Sequence, residues 1–232
     1  MFQQSKHCKV HKNFACLSVI IGLLLFHANQ AVGDDALGAW LRRMECNQLL
    51  ALHLEKYLEI GCDDDLLFSK IIVNKKVGVD PKSGGNVRKT SDEFFKTNIE
   101  KFDLIFIDGL HEYDQVKKDI KNSLNFLNHD GLILVHDCLP AEMSCQAVPR
   151  YRHFWLGDVW KAIVFYRKEP NLNIYTCKID TGISVIKKEV NDTIINLTIK
   201  DCKKLKFKDF YNNYEKFMRL YEYDKFLEKV LD

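Results

Sequence analysis

Four short apolar segments of this chain end at acidic residues, and carboxylates at such positions can bind a polar ligand. Glu59 and Gly61 end the first segment, Asp80 the second, Asp108 the third and Asp137 the fourth. In open α/β sheets, ligands bind at the carboxyl ends of parallel strands. If the four segments are neighbouring strands, their carboxylates meet in one polar cleft that can accept hydrogen bonds from hydroxyl or amino groups.

The first of these turns indicates which kind of ligand the cleft takes. Gly61 lets the backbone turn tightly beneath a ligand, and Glu59 and Asp63 place carboxylates on either side of it. The dinucleotide fingerprint needs further glycines so that a pyrophosphate can approach a helix start, but Asp63 and Leu66 occupy those positions. A carboxylate there opposes a diphosphate and tolerates an ammonium group, so a nicotinamide cofactor is disfavoured.

Two more acids suit the remaining parts of a nucleoside. Asp80 can accept hydrogen bonds from ribose hydroxyls, and its alternative role is that of an ordinary turn aspartate before Pro81. Asp92 could meet an adenine amino group. Its alternative role is to stabilise the first turn of a helix, for which Ser91 is the expected N-cap.

A second group of residues suits proton transfer or metal binding. Asp108 and Asp137 could share one hard cation such as Mg²⁺, although the adjacent thiol of Cys138 is a poor ligand for that ion. His111 and His136 are candidate general bases, because imidazole titrates near neutral pH and can take a hydroxyl proton. A purely structural, hydrogen-bonded role is the alternative for each histidine.

Alternating strands and helices are expected to position these residues. Strands are predicted at Tyr57–Ile60, Lys76–Val79, Asn86–Thr90, Leu104–Ile107 and, after a turn at Asp130-Gly131, Leu132–His136. Helices are predicted at Ala36–His53, Asp63–Val73, Ser91–Asn98 and Tyr113–Leu127, after Asp158, and at Lys206–Leu231 with a break near Tyr223. Asn173–Ile179 and Ile183–Lys187 form a predicted hairpin. The predicted fold class is α/β: a Rossmann-like, doubly wound, mostly parallel sheet with an antiparallel C-terminal hairpin.

Basic and aromatic residues are concentrated in the long segment Cys138–Trp155. This segment includes Arg150, Arg152, His153 and Trp155. Such side chains over a cleft would suit an acidic or sugar-like acceptor. The alternative is a solvated rim.

Composition and the N-terminus limit the other possibilities. The chain has 232 residues, enough for one domain, with a formal net charge of +2 and no long basic block, so nucleic acid is not expected as the main partner. Residues 1–33 resemble a signal peptide: basic residues precede the apolar run Phe14–Phe26 and a small-residue site ending at Gly33. That run is shorter than the ~20 residues of a membrane span.

The compartment therefore depends on the leader. Cleavage after Gly33 would give a secretory-pathway protein without a stable membrane span, consisting of one domain over residues 34–232. An uncleaved anchor is one alternative, and a leader on a cytoplasmic enzyme is another. The eight cysteines form no CxxC pair, which favours buried free thiols over a disulfide framework.

The segments that contain Glu59, Asp80, Asp92, Asp108 and Asp137 resemble those of the class I S-adenosylmethionine-dependent methyltransferases. More narrowly, Asp108–Tyr113 reads D-G-x-H-x-Y, as in a family of small methyltransferase domains. The resemblance implies that Glu59, Gly61 and Asp63 hold the methionine part of the cofactor, with Asp63 in place of the second glycine of the usual E-x-G-x-G pattern. It also implies ribose binding by Asp80 and adenine binding by Asp92.

The predicted site and function follow from these residues together. The predicted cofactor-binding residues are Glu59, Gly61, Asp63, Asp80, Ser91, Asp92 and Asp108; the predicted catalytic residues are His111, His136 and Asp108; the candidate metal ligands are Asp108 and Asp137. The expected activity is methyl transfer from S-adenosylmethionine to a small-molecule or sugar-like acceptor, with Mg²⁺ as an optional second cofactor. A non-catalytic binding module on the same fold is the first alternative, and an NAD-dependent oxidoreductase is the second.

Overall fold

The computed structural model describes residues 54–197, 201–223 and 225–226. The predicted leader and the predicted helix at 36–53 lie outside the described residues. Within the described ranges, no helix has the length and apolar character required to cross a membrane.

In the described part of the chain, seven strands form one sheet at the centre of the fold. They are β1 (Lys56–Ile60), β2 (Lys75–Val79), β3 (Phe102–Ile107), β4 (Leu127–Val135), β5 (Asn173–Cys177), β6 (Ile183–Lys187) and β7 (Leu220–Tyr221). Their order across the sheet is β2-β1-β3-β4-β6-β5-β7. The first four strands are parallel, while β6 runs antiparallel to both β4 and β5. The sheet confirms the predicted fold class, including the terminal hairpin.

Among the described residues, four named α-helices connect or follow these strands. They are α1 (Ser91–Thr97), α2 (Tyr113–Phe126), α3 (Val159–Tyr166) and α4 (Phe207–Met218), with short 3₁₀ turns at Phe68–Lys70 and Cys202–Lys204. Alternation along β1 divides the core: Leu58 packs in the cluster that contains Ile120 of α2, whereas Tyr57 packs in a second cluster with Tyr175. Successive strand residues point to opposite faces of a sheet, so both faces of β1 are buried.

Two predicted elements are wrong. The helix predicted at Asp63–Val73 is a series of turns with one 3₁₀ turn, because Asp63 and Asp65 have φ of 44° and 63°, values outside the right-handed helical region. The strand predicted at Asn86–Thr90 is a single bridge from Val87 to Val79. There the side chain of Asn86 accepts the backbone N–H of Gly78 and so replaces a strand-to-strand hydrogen bond.

The boundaries of three other elements differ from the prediction. Thr90, and not Ser91, caps α1, and it forms a reciprocal capping box with Glu93. Strand β4 begins at Leu127, before the predicted turn, and its register with β3 shifts there. Helix α4 ends at Met218, because Arg219 is left-handed with φ of 45° and the chain continues into β7.

Candidate active site

The carboxyl ends of β1 to β4 open into one cavity of about 810 Å³. This volume lies within the range of sites that bind small molecules and cofactors. All the predicted site residues line it: Glu59, Gly61, Asp63, Asp80, Ser91, Asp92, Asp108, His111, His136 and Asp137. The strand-end argument therefore located the cavity correctly, although the role of each residue stays a prediction.

Gly61 fits only because it has no side chain. Its φ is +86°, and a Cβ added there would lie 2.2 Å from the carbonyl oxygen of Asp108. Its N–H donates to the carbonyl of Val79 at 2.9 Å. The glycine thus brings the loop after β1 against the end of β3. This contact lies between the two halves of the cavity: the cofactor half, lined by Glu59, Asp63, Asp80 and Asp92, and the reacting half, lined by Asp108 and Asp137.

Asp63 retains the backbone geometry expected of the glycine that it replaces. Its φ of 44° is left-handed, a conformation that aspartate tolerates better than most side chains. The residue is exposed and lines the cavity. The departure from the E-x-G-x-G pattern therefore places a carboxylate at the cavity on a residue with a left-handed backbone.

Asp80 connects the loops that follow β1 and β2. One carboxylate oxygen accepts the backbone N–H groups of Cys62 at 3.1 Å and Asp63 at 3.3 Å. The other oxygen accepts those of Lys82 at 2.7 Å and Ser83 at 2.9 Å. Burial alone would raise the pKa of Asp80, but these donors lower it below its usual value. Asp80 therefore positions the loops, a role that the sequence did not indicate.

Glu59 lies buried at the end of β1. The hydroxyl of Tyr57 donates to its Oε2 at 2.6 Å. Burial raises the pKa of Glu59 to about 8, and the charge of Asp108 contributes in the same direction although the Tyr57 hydrogen bond opposes it. A cation placed beside this carboxyl group would favour the ionised form.

Helix α2 contributes two residues that the sequence analysis missed. Gln115 Nε2 donates to Ser91 Oγ at 3.1 Å, to Asp92 Oδ1 at 3.3 Å and to Asp119 Oδ1 at 3.0 Å. Asp119 is buried, which raises its pKa to about 6. Both residues line the cavity. Their four-residue spacing on the same helix was the available signal, since such residues share a face.

Asp108 and two histidines form the centre of the other half. Asp108 Oδ1 lies 3.2 Å from His111 Nε2 and 3.2 Å from His136 Nδ1. Burial would raise the pKa of Asp108, but the charge of His136 and the hydrogen bond from His111 hold it well below its usual value. His111 Nδ1 also lies 3.0 Å from Asp137 Oδ2. Burial would lower the pKa of His111, but Asp108 and Asp137 raise it above its ordinary value.

The two histidines differ in their surroundings. His136 Nε2 lies 3.1 Å from both Asp180 Oδ2 and Thr181 Oγ1 of the hairpin turn, and its side chain is 8% exposed. His111 is on the loop after β3, and 17% of its side chain is exposed. Asp180 and Thr181 were predicted only as turn residues, because nothing in the sequence shows that β6 pairs with β4.

A divalent cation fits part of this cluster. Ligand atoms of Asp108, His111 and Asp137 all lie within 4.8 Å of one another. Carboxylate oxygens suit Mg²⁺, and an added imidazole extends the range to transition metals. Cys138 does not complete the set, because its buried Sγ lies 3.2 Å from the carbonyl of Val135 and burial raises its pKa to about 12.

Comparison with known proteins identifies the domain. Residues 73–138 match the family model of a methyltransferase domain. This segment is similar to a methyltransferase domain. The match spans the segments that contain Asp80, Asp92, Asp108, His111 and Asp137, and it confirms the predicted class, the S-adenosylmethionine-dependent methyltransferases of class I. The narrower assignment from the D-G-x-H-x-Y segment stays a prediction.

Several solved methyltransferase structures are similar to this chain. One is a Podospora anserina methyltransferase bound to S-adenosylhomocysteine, with 16% identity, coverage of 74% of this chain and 88% of that chain, and a TM-score of 0.48. A putative O-methyltransferase from Klebsiella pneumoniae has 14% identity, 74% and 90% coverage and a TM-score of 0.48. A Bacillus cereus O-methyltransferase in complex with S-adenosylhomocysteine has 14% identity, 74% and 91% coverage and a TM-score of 0.45. No protein of curated function matches the sequence.

Proposed function

We propose that this methyltransferase domain transfers the methyl group of S-adenosylmethionine to a hydroxyl oxygen of a small molecule. The observation that carries the proposal is the position of the Asp108–His111 pair in a cavity lined by carboxylic side chains. A histidine base suits a hydroxyl acceptor, because that oxygen must lose a proton during the transfer. An amine would attack through its free electron pair and needs no base at that moment.

The charge of the cleft favours this cofactor. Eight carboxylic side chains line the cavity, against Lys82 and Arg150 as the permanently cationic side chains among the lining residues. Carboxylates stabilise the sulfonium and ammonium groups of S-adenosylmethionine through Coulomb attraction. The same charges repel the diphosphate of NAD, which weakens the oxidoreductase alternative.

The chemical step needs few groups. The acceptor oxygen attacks the methyl carbon in line with the departing sulfur; the carbon–sulfur bond breaks, and the sulfonium becomes a neutral thioether. The hydroxyl proton passes to Nδ1 of His111, where the acceptor hydroxyl would replace the contact with Asp137, and Asp108 at Nε2 stabilises the resulting imidazolium. Because holding the two reactants in line contributes more to the rate than proton removal, the loops fixed by Gly61 and Asp80 matter as much as the base.

A metal ion bound here would change this arrangement, because a His111 nitrogen that coordinates the ion cannot also take the hydroxyl proton. Asp108, His111 and Asp137 are the residues that would hold it. When bound, a divalent cation would lower the pKa of the acceptor hydroxyl. Mg²⁺ and Mn²⁺ titrations that raise the melting temperature of the wild type, and not that of Asp137→Asn, would support the site. Equal melting temperatures with and without both metals would contradict it.

The experiment is a binding assay followed by a transfer assay. S-adenosylmethionine and S-adenosylhomocysteine should raise the melting temperature, because ligands that bind the folded state stabilise it by mass action, whereas NAD should not. Tritium should then pass from the methyl-labelled cofactor to a hydroxylated small molecule. Binding without transfer to any acceptor would favour the non-catalytic module, and a shift with NAD alone would favour the oxidoreductase.

A further inference from the structure

The segment between β4 and α3 places two side chains over the reacting end of the cavity. Arg150 and Trp155 line the cavity, whereas Arg152 and His153, which lie in the described part of the chain, are outside its lining. Backbone hydrogen bonds from Leu156 and Gly157 to the carbonyl of Cys145 hold this segment in place. Of the two arginines in this segment, Arg150 therefore lines the cavity and Arg152 does not.

Trp155 connects Arg150 to the base. Its ring stacks on the imidazole of His111, with ring centroids 5.6 Å apart and an angle of 22° between the planes. The guanidinium carbon of Arg150 lies 5.6 Å from the centre of the Trp155 ring. Arg150 and His111 therefore both contact the ring of Trp155, and an acceptor whose hydroxyl reaches His111 lies near Arg150.

The guanidinium of Arg150 is oriented but carries an unmatched charge. Its Nε donates to the carbonyl of Arg152 at 3.1 Å and its Nη2 to the carbonyl of His153 at 2.6 Å. Among the described residues, no carboxylate forms an ion pair with it. Arg152 differs, because its Nη1 pairs with Glu142 and also contacts Ser144. Two neutral carbonyl groups thus orient the guanidinium of Arg150, which is exposed at the cavity.

We propose that the methyl acceptor is an organic anion whose carboxylate or phosphate group is bound by Arg150. The inference rests on the proposed methyl transfer and specifies its acceptor class. A planar guanidinium binds either anion through two parallel hydrogen bonds. Leu110, half-exposed beside His111, and Trp155 provide apolar surface for the body of the acceptor. Within the cavity the anionic group is favoured beside Arg150, because carboxylates line most of the remainder and would repel it.

Matched pairs of probes test the charge requirement. Protein saturated with S-adenosylhomocysteine is titrated calorimetrically with hydroxybenzoate and hydroxybenzamide, with hydroxynaphthoate and its amide, and with hydroxyphenyl phosphate and its dimethyl ester. At least one anionic member should bind about tenfold more tightly than its neutral partner, the magnitude typical of a charge-assisted hydrogen bond. Whether the carboxylate or the phosphate pair shows the preference identifies the anion.

Two arginine variants make the test specific. Arg150→Met should reduce the preference to about equal affinities, whereas Arg152→Met should retain it, and both should bind S-adenosylhomocysteine as the wild type does. No preference in any wild-type pair, or a preference that survives Arg150→Met, would overturn the inference. Failure to bind S-adenosylhomocysteine would instead contradict the proposed function, so the two failures are distinguishable.

Discussion

Gly61 and Asp108 are in such close contact that the backbone just after β3 occupies the space that a side chain on Gly61 would need. A Cβ at this position would lie 2.2 Å from the carbonyl oxygen of Asp108 and 2.7 Å from the Cα of Gly109. Both neighbours are backbone atoms, so no rotamer change relieves the overlap. The cofactor half and the reacting half of the cavity therefore share this contact, and a change in one loop displaces the other.

Gly61→Ala should consequently damage both stability and cofactor binding. A left-handed alanine alone costs about 1–3 kcal/mol, and the backbone overlap adds to that. Thermal melts and S-adenosylhomocysteine titrations measure the two effects. Gly109→Ala is the milder control, because its added Cβ would meet a side-chain methyl group of Ile60 at 3.3 Å. Wild-type affinity in Gly61→Ala would show that the contact does not position the cofactor loop.

Asp80→Asn should destabilise the two loops that the carboxylate joins. The amide nitrogen of asparagine would face backbone N–H donors, two of which would lose their acceptor, at a cost of about 1–3 kcal/mol each. The pKa of Asp80 is lowered in the folded state, so its stabilisation is present above the unfolded pKa of about 4 and is lost as the pH falls through the folded value. Melting temperatures of the two proteins should therefore differ most near pH 7 and converge in acid. A constant difference would contradict this role.

The sequence could predict the cavity because strand ends and acids are local features. Neighbouring parallel strands place their end residues on one edge of the sheet, and this does not depend on the other elements of the fold. The carboxylates at these strand ends belong to Glu59, Asp80, Asp108 and Asp137. The contribution of Asp180 depends on the antiparallel pairing of β6 with β4, a long-range contact that no local pattern specifies. The wrong helix at Asp63–Val73 has a similar origin, since its apolar spacing was helical but two aspartates adopt left-handed backbone conformations.

Glu59 should release a proton when the cofactor binds near neutral pH. Its pKa of about 8 in the free protein means that it is largely protonated at pH 7, and the cationic cofactor favours the carboxylate. Calorimetry in two buffers of different ionisation enthalpy measures the released fraction. Glu59→Gln should bind S-adenosylmethionine more weakly and release no proton. Equal proton release in both proteins would assign it to another group.

The raised pKa of Glu59 also predicts that the difference in stability between the wild type and Glu59→Gln depends on pH. Because the folded pKa of Glu59 is raised, its contribution is fully present below the unfolded pKa of about 4.3 and declines as the pH rises towards about 8. Without cofactor, Glu59→Gln should therefore gain stability relative to the wild type between pH 5 and pH 8. Denaturant titrations at both pH values provide the measurement, and an unchanged difference would contradict the assignment of this titration to Glu59.

His111 and His136 should respond differently to replacement, although both contact Asp108. His111→Gln should lower the transfer rate by about 10²- to 10⁴-fold, the usual contribution of a general base, with S-adenosylhomocysteine affinity unchanged. Since the base must be neutral and its pKa is raised, the wild-type rate should increase as the pH rises above about 6.5, and this dependence should vanish in the variant. His136→Gln should mainly lower the melting temperature, because His136 connects Asp108 to the hairpin turn. If His136→Gln instead abolishes the pH dependence and His111→Gln does not, the base is His136.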